Sequence, residues 1–178
     1  QTEFKAQLTA PSKLAAIRLQ EHFRTISKVS TAIVVSPPDT REASDNPNTA
    51  SLDEVQRFWK DMMKQYGSAK NYQDKLIEQF KKSEHPEILI VVDKLLTGFD
   101  APRNTVLYIC RSLREHNLLQ AIARVNRVAK GKEYGYIIDY EGILGELDEA
   151  LTSYSSLGEF EEEDLAGAVT SVLEEIEA

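Results

Sequence analysis

The chain carries a single cysteine in 178 residues, which excludes a disulfide scaffold or a cysteine-based metal framework. Cys110 lies in the apolar run Thr105-Val106-Leu107-Tyr108-Ile109-Cys110, the setting of a buried structural thiol. The three histidines, His22, His85 and His116, have no ligand-like spacing. No window approaches the roughly 18 apolar residues of a membrane span, and the first residues lack the basic start, apolar run and cleavage site of a secretory signal. These patterns predict a soluble, cytoplasmic protein with no membrane partner. A phosphate loop of the form G-x-x-x-x-G-K-[ST] is also missing, since Lys130-Gly131-Lys132 lacks the upstream glycine and a strand before it. No adjacent Asp-Glu pair follows a strand to hold magnesium, and no set of carboxylates with a lysine reads as a nuclease centre. By itself the chain is expected not to hydrolyse a nucleoside triphosphate.

Basic residues are absent from residues 141–178, which hold twelve Asp and Glu. The net charge of -8 is therefore unevenly spread, and residues 1–140 keep 17 acidic against 21 basic side chains, a local balance of +4. A phosphate backbone is an admissible partner for that mildly basic body, although charge alone does not demand one.

Strand-length apolar runs alternate with segments of helical period, which predicts an α/β fold around a mainly parallel sheet. Phe4–Thr9 reads as a first strand. Ser12 is a plausible N-cap for a helix whose Ala15, Leu19, Phe23 and Ile26 recur on one face. Thr31–Val35 is a second strand, and the polar stretch Asp39–Ser51 a loop. Val55, Phe58, Trp59, Met62 and Tyr66 mark a helix starting at Ser51 or Asp53, and Tyr72, Leu76, Ile77 and Phe80 repeat the stripe. Ile88–Val92 has the continuous apolar character of a strand covered on both faces. Thr105–Cys110 follows as a strand, Asn117–Val128 as a helix and Tyr134–Ile138 as the last strand. Beyond Tyr140, Leu144, Leu147 and Leu151 and later Leu165, Val169, Val172, Leu173 and Ile176 suggest two helices around the acidic run Glu159–Asp164. The expected organisation is a domain over residues 1–140 and an acidic helical extension over 141–178. A chain that starts inside a strand and ends inside an acidic helix reads as a piece of a longer protein.

Two segments carry the chemistry. The first, Asp93-Lys94-Leu95-Leu96-Thr97-Gly98-Phe99-Asp100-Ala101-Pro102, follows an apolar strand, where ligands gather in doubly wound sheets. Gly98 permits a close backbone approach and Pro102 ends the loop. A tight strand-to-strand connection is the plain alternative. The second, Gln120-Ala121-Ile122-Ala123-Arg124-Val125-Asn126-Arg127, puts Arg124 and Arg127 three apart on a predicted helix, with Gln120 one turn earlier on the same side. Paired arginines on a helix are otherwise commonly a solvated face. Ser12 and Lys13, at a helix start after the first strand, form a natural but weak seat for a phosphate.

These segments resemble motifs V and VI of superfamily 2 helicases and translocases, and their wording is similar to the R (motor) subunit of type I restriction enzymes. The resemblance covers about residues 1–155 and is strongest between Ile88 and Tyr140. It implies a RecA-like fold, the second motor domain of such a subunit, followed by the start of its C-terminal helical region. It further implies that Arg124 and Arg127 reach the γ-phosphate of ATP held mainly by the first motor domain of the same chain, with Gln120 assisting. Gly98 and Asp100 fall on the family's nucleotide-facing glycine and aspartate, the latter approaching the sugar. Val92 stands where many relatives have a threonine that touches nucleic acid, so that contact falls to Thr97 or to loop amides. Ser12 and Lys13 match a place that faces DNA. ATP and Mg2+ are the implied cofactors of the full subunit. Double-stranded DNA and the specificity and methylation subunits are its implied partners, and the nuclease site belongs to a separate N-terminal domain. Another superfamily 2 motor shares the arginine pair, and a non-catalytic α/β interaction domain would use it for salt bridges.

Overall fold

A computed structural model of the chain describes residues 4–38, 49–92, 94–95, 101–113, 115–127, 132 and 134–142. Among these, five strands alternate with four helices: β1 Lys5–Thr9, α1 Lys13–Ile26, β2 Thr31–Val34, α2 Thr49–Tyr66, α3 Ala69–Lys82, β3 Ile88–Val91, β4 Asn104–Ile109, α4 Glu115–Val125 and β5 Tyr136–Asp139. All pairings are parallel, in the order β2-β3-β1-β4-β5. This is the mainly parallel α/β sheet expected of a RecA-like domain. Of the expected loop Asp39–Ser51, residues 39–48 lie outside the described residues and 49–51 are already in α2; everything expected beyond residue 142, including the C-terminal helices, also lies outside the described residues.

The chain begins in the middle of its own sheet. β1 is buried along its whole length, because β3 and β4 flank it and helices lie over it. From β1 the chain moves through α1 to the edge strand β2, then returns through α2 and α3 to β3. Right-handed crossovers require connections of opposite direction to lie on opposite faces. Accordingly α1 packs with Leu8, Ile33 and Ile90 on one face, whereas α3 and α4 pack with Val34, Leu89, Val91, Leu107 and Ile109 on the other. α2 wraps the β2 edge: Val55 and Phe58 join the first cluster, Trp59, Met62 and Tyr66 the second.

Local chemistry fixes the helix ends. Ser12 caps α1 by accepting from the Ala15 N–H at 3.1 Å, and Ser68 caps α3 by accepting from the Asn71 N–H at 3.1 Å. Gly67, at φ +78°, supplies the left-handed turn between α2 and α3. Tyr72 is buried and donates its hydroxyl to the Ile33 carbonyl, while Trp59 and Tyr66 meet its ring edge-on at 5.8 and 5.5 Å.

The strands lie within one or two residues of the sequence expectation, and α2 starts two residues before Ser51. One expectation is corrected. The fully buried residues of α1 are Lys13, Ala16, Ile17 and Gln20, whereas Leu19 and Phe23 of the expected stripe are half-buried against the same core and Ile26 lies off it. The two polar members are buried because both find backbone acceptors, one on β2 and one three residues past its end: Gln20 Nε2 donates to the Thr31 carbonyl at 3.0 Å, and Lys13 Nζ to the Pro37 carbonyl at 2.9 Å. The apolar set lies on the flank, and Ile26 is 65% exposed.

Candidate functional site

α4 brings the motif VI residues to their place. Its Leu118, Leu119, Ala121, Ile122 and Val125 are buried against the sheet, which leaves Gln120 and Arg124 half-buried on its side and Arg127 exposed beyond its end. The helix stops at Val125, with the Asn126 N–H closing onto the Ile122 carbonyl at 2.9 Å, so Arg127 does not share a helical face with Arg124 as the spacing predicted. The reason lies ten residues on. A Cβ on Gly135 would sit 2.3 Å from the Val125 carbonyl oxygen and 2.6 Å from Val125 Cγ1, so only glycine lets the strand entering β5 lie against the end of α4. The Gly135 N–H also donates to Asn126 Oδ1 at 3.2 Å.

Because β4 and β5 are parallel, α4 must run back from the carboxyl edge of the sheet to the amino edge. Arg124 and Arg127 therefore stand at the amino edge. Ser12 and Lys13 follow β1 at the carboxyl edge. There the strand ends remain paired, with the Ala10 N–H donating to the Val91 carbonyl at 2.7 Å and Cys110 N–H to the Thr9 carbonyl at 3.2 Å. The two sets of candidate residues are thus separated by the length of a strand. The exposed Ser12 has its hydroxyl committed to the cap, and Lys13 is 7% exposed with its ammonium on the Pro37 carbonyl.

β3 ends at the carboxyl edge and β4 begins at the amino edge on the far side of β1, so the β3–β4 connection, like the other crossovers, joins the two edges. Gln7 Nε2 donates to the Leu95 carbonyl at 3.2 Å, and Leu95 takes φ +66°. Thr97, Gly98 and Asp100, with Asp93, lie outside the described residues.

A buried polar frame lies around the starts of β1 and β4. Asn104 Nδ2 donates to Gln7 Oε1 at 3.2 Å. Lys132 Nζ donates to the carbonyls of Asn104 at 2.7 Å and Pro102 at 3.3 Å, and burial pushes its amine down to about 8. Lys5 Nζ donates to the Pro86 carbonyl at 2.8 Å; burial, then the Arg103 charge, hold it at about 8 as well. Gln7, Asn104, Lys132 and Gly135 escaped the sequence reading, because nothing local distinguishes a buried lysine or amide from an exposed one. Cys110 is half-buried, and burial followed by the Glu141 charge pushes its thiol up, which suits a structural thiol. Among the described residues no group of three or more His, Cys, Asp or Glu could hold a metal ion, and no helix is long and apolar enough to cross a membrane.

A Methanocaldococcus jannaschii protein named as the MjaVIIP type I restriction enzyme endonuclease subunit is 36% identical over 185 aligned positions, covering 98% of this chain and 16% of the relative. The HindI type I restriction enzyme endonuclease subunit of Haemophilus influenzae is 33% identical over 149 positions, covering 82% of this chain and 12% of the relative. The chain thus spans under a fifth of the length of these curated relatives. In fold it is similar to the ATP-dependent Type ISP restriction-modification enzyme LlaBIII solved bound to DNA, with a TM-score of 0.54 at 14% identity over 84% of this chain and 10% of that one. The model of type I restriction enzyme subunit R domain 3 matches residues 2–142. The chain belongs to that family, as part of the R subunit of a type I restriction enzyme.

Proposed function

We propose that this chain is the second motor domain of the R subunit, working in the cytoplasm against a first motor domain that binds ATP and Mg2+. In this reading residues 1–140 form the motor domain and 141–178 the start of the helical region. The observation that carries the reading is the arrangement of the sheet edges. The arginines stand at one edge and the α1 start at the other, and the β3–β4 connection, whose sequence carries Thr97, Gly98 and Asp100, is one of the crossovers between those edges.

Arg124 and Arg127 suit a γ-phosphate because guanidinium stays charged and forks onto two phosphate oxygens. Gln120, one helical turn before Arg124, offers an amide to the same group. Gly98 and Asp100 would meet the nucleotide. Ser12 and Thr97, at the positive end of α1 and on the motif V loop, would meet the DNA backbone; Lys13 could join them only by giving up the Pro37 carbonyl. Hydrolysis across the cleft would then shift the grip of the opposite edge on double-stranded DNA, pulling it past the specificity and methylation subunits. Cleavage would occur in another domain of the full subunit, and the isolated chain would hydrolyse no ATP.

The test is DNA-stimulated ATP turnover by the full-length subunit assembled with its partners, wild type beside Arg127→Ala. Charge-stabilising arginines of this kind are worth about 10³–10⁵ in turnover, so a loss of at least hundredfold is expected, with ATP binding and the unfolding midpoint held. Normal turnover in Arg127→Ala would remove the γ-phosphate assignment.

A further inference from the structure

Lys132 is 3% exposed, and its ammonium lies 2.7 Å from the Asn104 carbonyl and 3.3 Å from the Pro102 carbonyl. Among the described residues no carboxylate forms an ion pair with it. Taking an ammonium out of water without an anion beside it is costly, and an apolar side chain of the same length would fill the space at less cost. Burial holds the amine at about 8, which registers that cost. What the lysine has and a methionine lacks is a set of donors that reaches two carbonyls on another segment.

Those carbonyls belong to the end of the β3–β4 connection and to the first residue of β4, and both are held in place. The Asn104 N–H donates to the Ala101 carbonyl at 2.8 Å and the Lys5 N–H to the Arg103 carbonyl at 2.8 Å, while the Asn104 amide donates to Gln7 at 3.2 Å. Gln7 in turn donates to the Leu95 carbonyl near the other end of the same connection. The segment that carries Lys132 joins α4 to β5, and Arg127 stands near its start. Asn126 is held by the Gly135 N–H, so Arg127 lies between a tie at Asn126 and a tie at Lys132 five residues on. Without Lys132 the loop that bears Arg127 would close only at Gly135; with it, the loop closes sooner and against the start of β4, which leaves fewer conformations open. Releasing that tie would strand a buried ammonium and two carbonyls.

We propose that Lys132 is a positioning residue for Arg127: it fastens the α4–β5 connection to the start of β4 and so holds the arginine in register with the β3–β4 connection. The role rests on the γ-phosphate reading of Arg127 and adds what aims that arginine. Lys132 itself acts from within the domain, through Arg127.

The experiment is a double-mutant cycle on DNA-stimulated ATP turnover by the full-length subunit assembled with its partners. Lys132→Met keeps the length of the side chain and removes its donors. A misplacement of about 1 Å can cost about a hundredfold in rate, so kcat should fall on the order of ten- to a hundredfold, with KM for ATP changed by less than about twofold. In the Arg127→Ala background the same substitution should change kcat by less than about twofold, because the group it aims is gone. A lysine that only stabilises the fold would lower turnover by the same factor in both backgrounds, and that result would overturn the proposal. Unchanged kcat in Lys132→Met, with Arg127→Ala impaired, would overturn it while leaving the γ-phosphate reading intact. Normal turnover in Arg127→Ala would remove that reading and the role of Lys132 with it. Should Lys132→Met fail to fold, Lys132→Gln, which keeps a donor on a shorter side chain, enters the same cycle: a fall in kcat that vanishes beside Arg127→Ala is expected, and an equal fall in both backgrounds would overturn the proposal.

Discussion

Gly135 is the residue on which the geometry of the arginine pair depends most directly. Its missing side chain lets the segment entering β5 touch the last carbonyl of α4, and its N–H holds the Asn126 side chain between Arg124 and Arg127. Gly135→Ala would force a methyl group into backbone that cannot rotate away. Small-to-large changes in packed sites cost about 1–3 kcal/mol, and a loss of that size is expected in urea denaturation, with ATP turnover of the full subunit falling because the base of Arg127 moves. Unchanged stability would mean that β5 can shift to accept the methyl. Sequence could not foresee this. A glycine ahead of an apolar run reads as a turn residue, and the atom that demands it belongs to Val125, which is remote until α4 and β5 pack. Thr97, Gly98 and Asp100 rest on the motif alone, since they fall outside the described residues.

Among the elements, α1 shows how far periodicity reaches. The helix and its Ser12 cap were legible, because cap chemistry and spacing are local. The core-facing side was not, because Lys13 and Gln20 are buried only by virtue of carbonyls on β2 and after it. Ser12 also separates two roles that one serine could have. Loss of an N-cap costs about 1 kcal/mol, so Ser12→Ala should lower stability by that order, whereas Ser12→Asp should restore it. If the α1 start faces DNA, Ser12→Asp in the assembled enzyme should nevertheless weaken DNA binding, by placing an anion against phosphate. DNA affinity equal to wild type in Ser12→Asp would place the DNA elsewhere. α4 was likewise legible as a helix, but its end at Val125 follows from tertiary contact and separates Arg127 from the face shared by Gln120 and Arg124.

For the whole molecule, the two buried lysines at the amino edge make a statement about pH. Burial holds Lys5 and Lys132 at about 8, below the ordinary 10.5. Between those values the unfolded chain keeps protons that the folded chain has lost, so these groups favour folding increasingly as pH rises through the window, and their burden is full below it. Wild type should therefore gain on Lys132→Met as pH rises from about 7.5 to about 9.5, read from urea midpoints; a constant gap would mean that the Lys132 amine titrates normally. Sequence by itself determined the alternation of strands and helices, hence a parallel α/β sheet, the helix that carries Gln120 and Arg124, and the absence of a phosphate loop from this chain. These follow from neighbours two to four residues apart. Only the tertiary structure decided that β1 is central with β3 and β4 on either side, that the connection after β3 therefore passes to the far side of β1, and that the arginines and the α1 start stand at opposite edges. Strand order is set by which apolar faces bury each other and by polar contacts such as Gln7 with Leu95 and Asn104, 88 and 97 residues apart, and no local pattern encodes a partner at that distance.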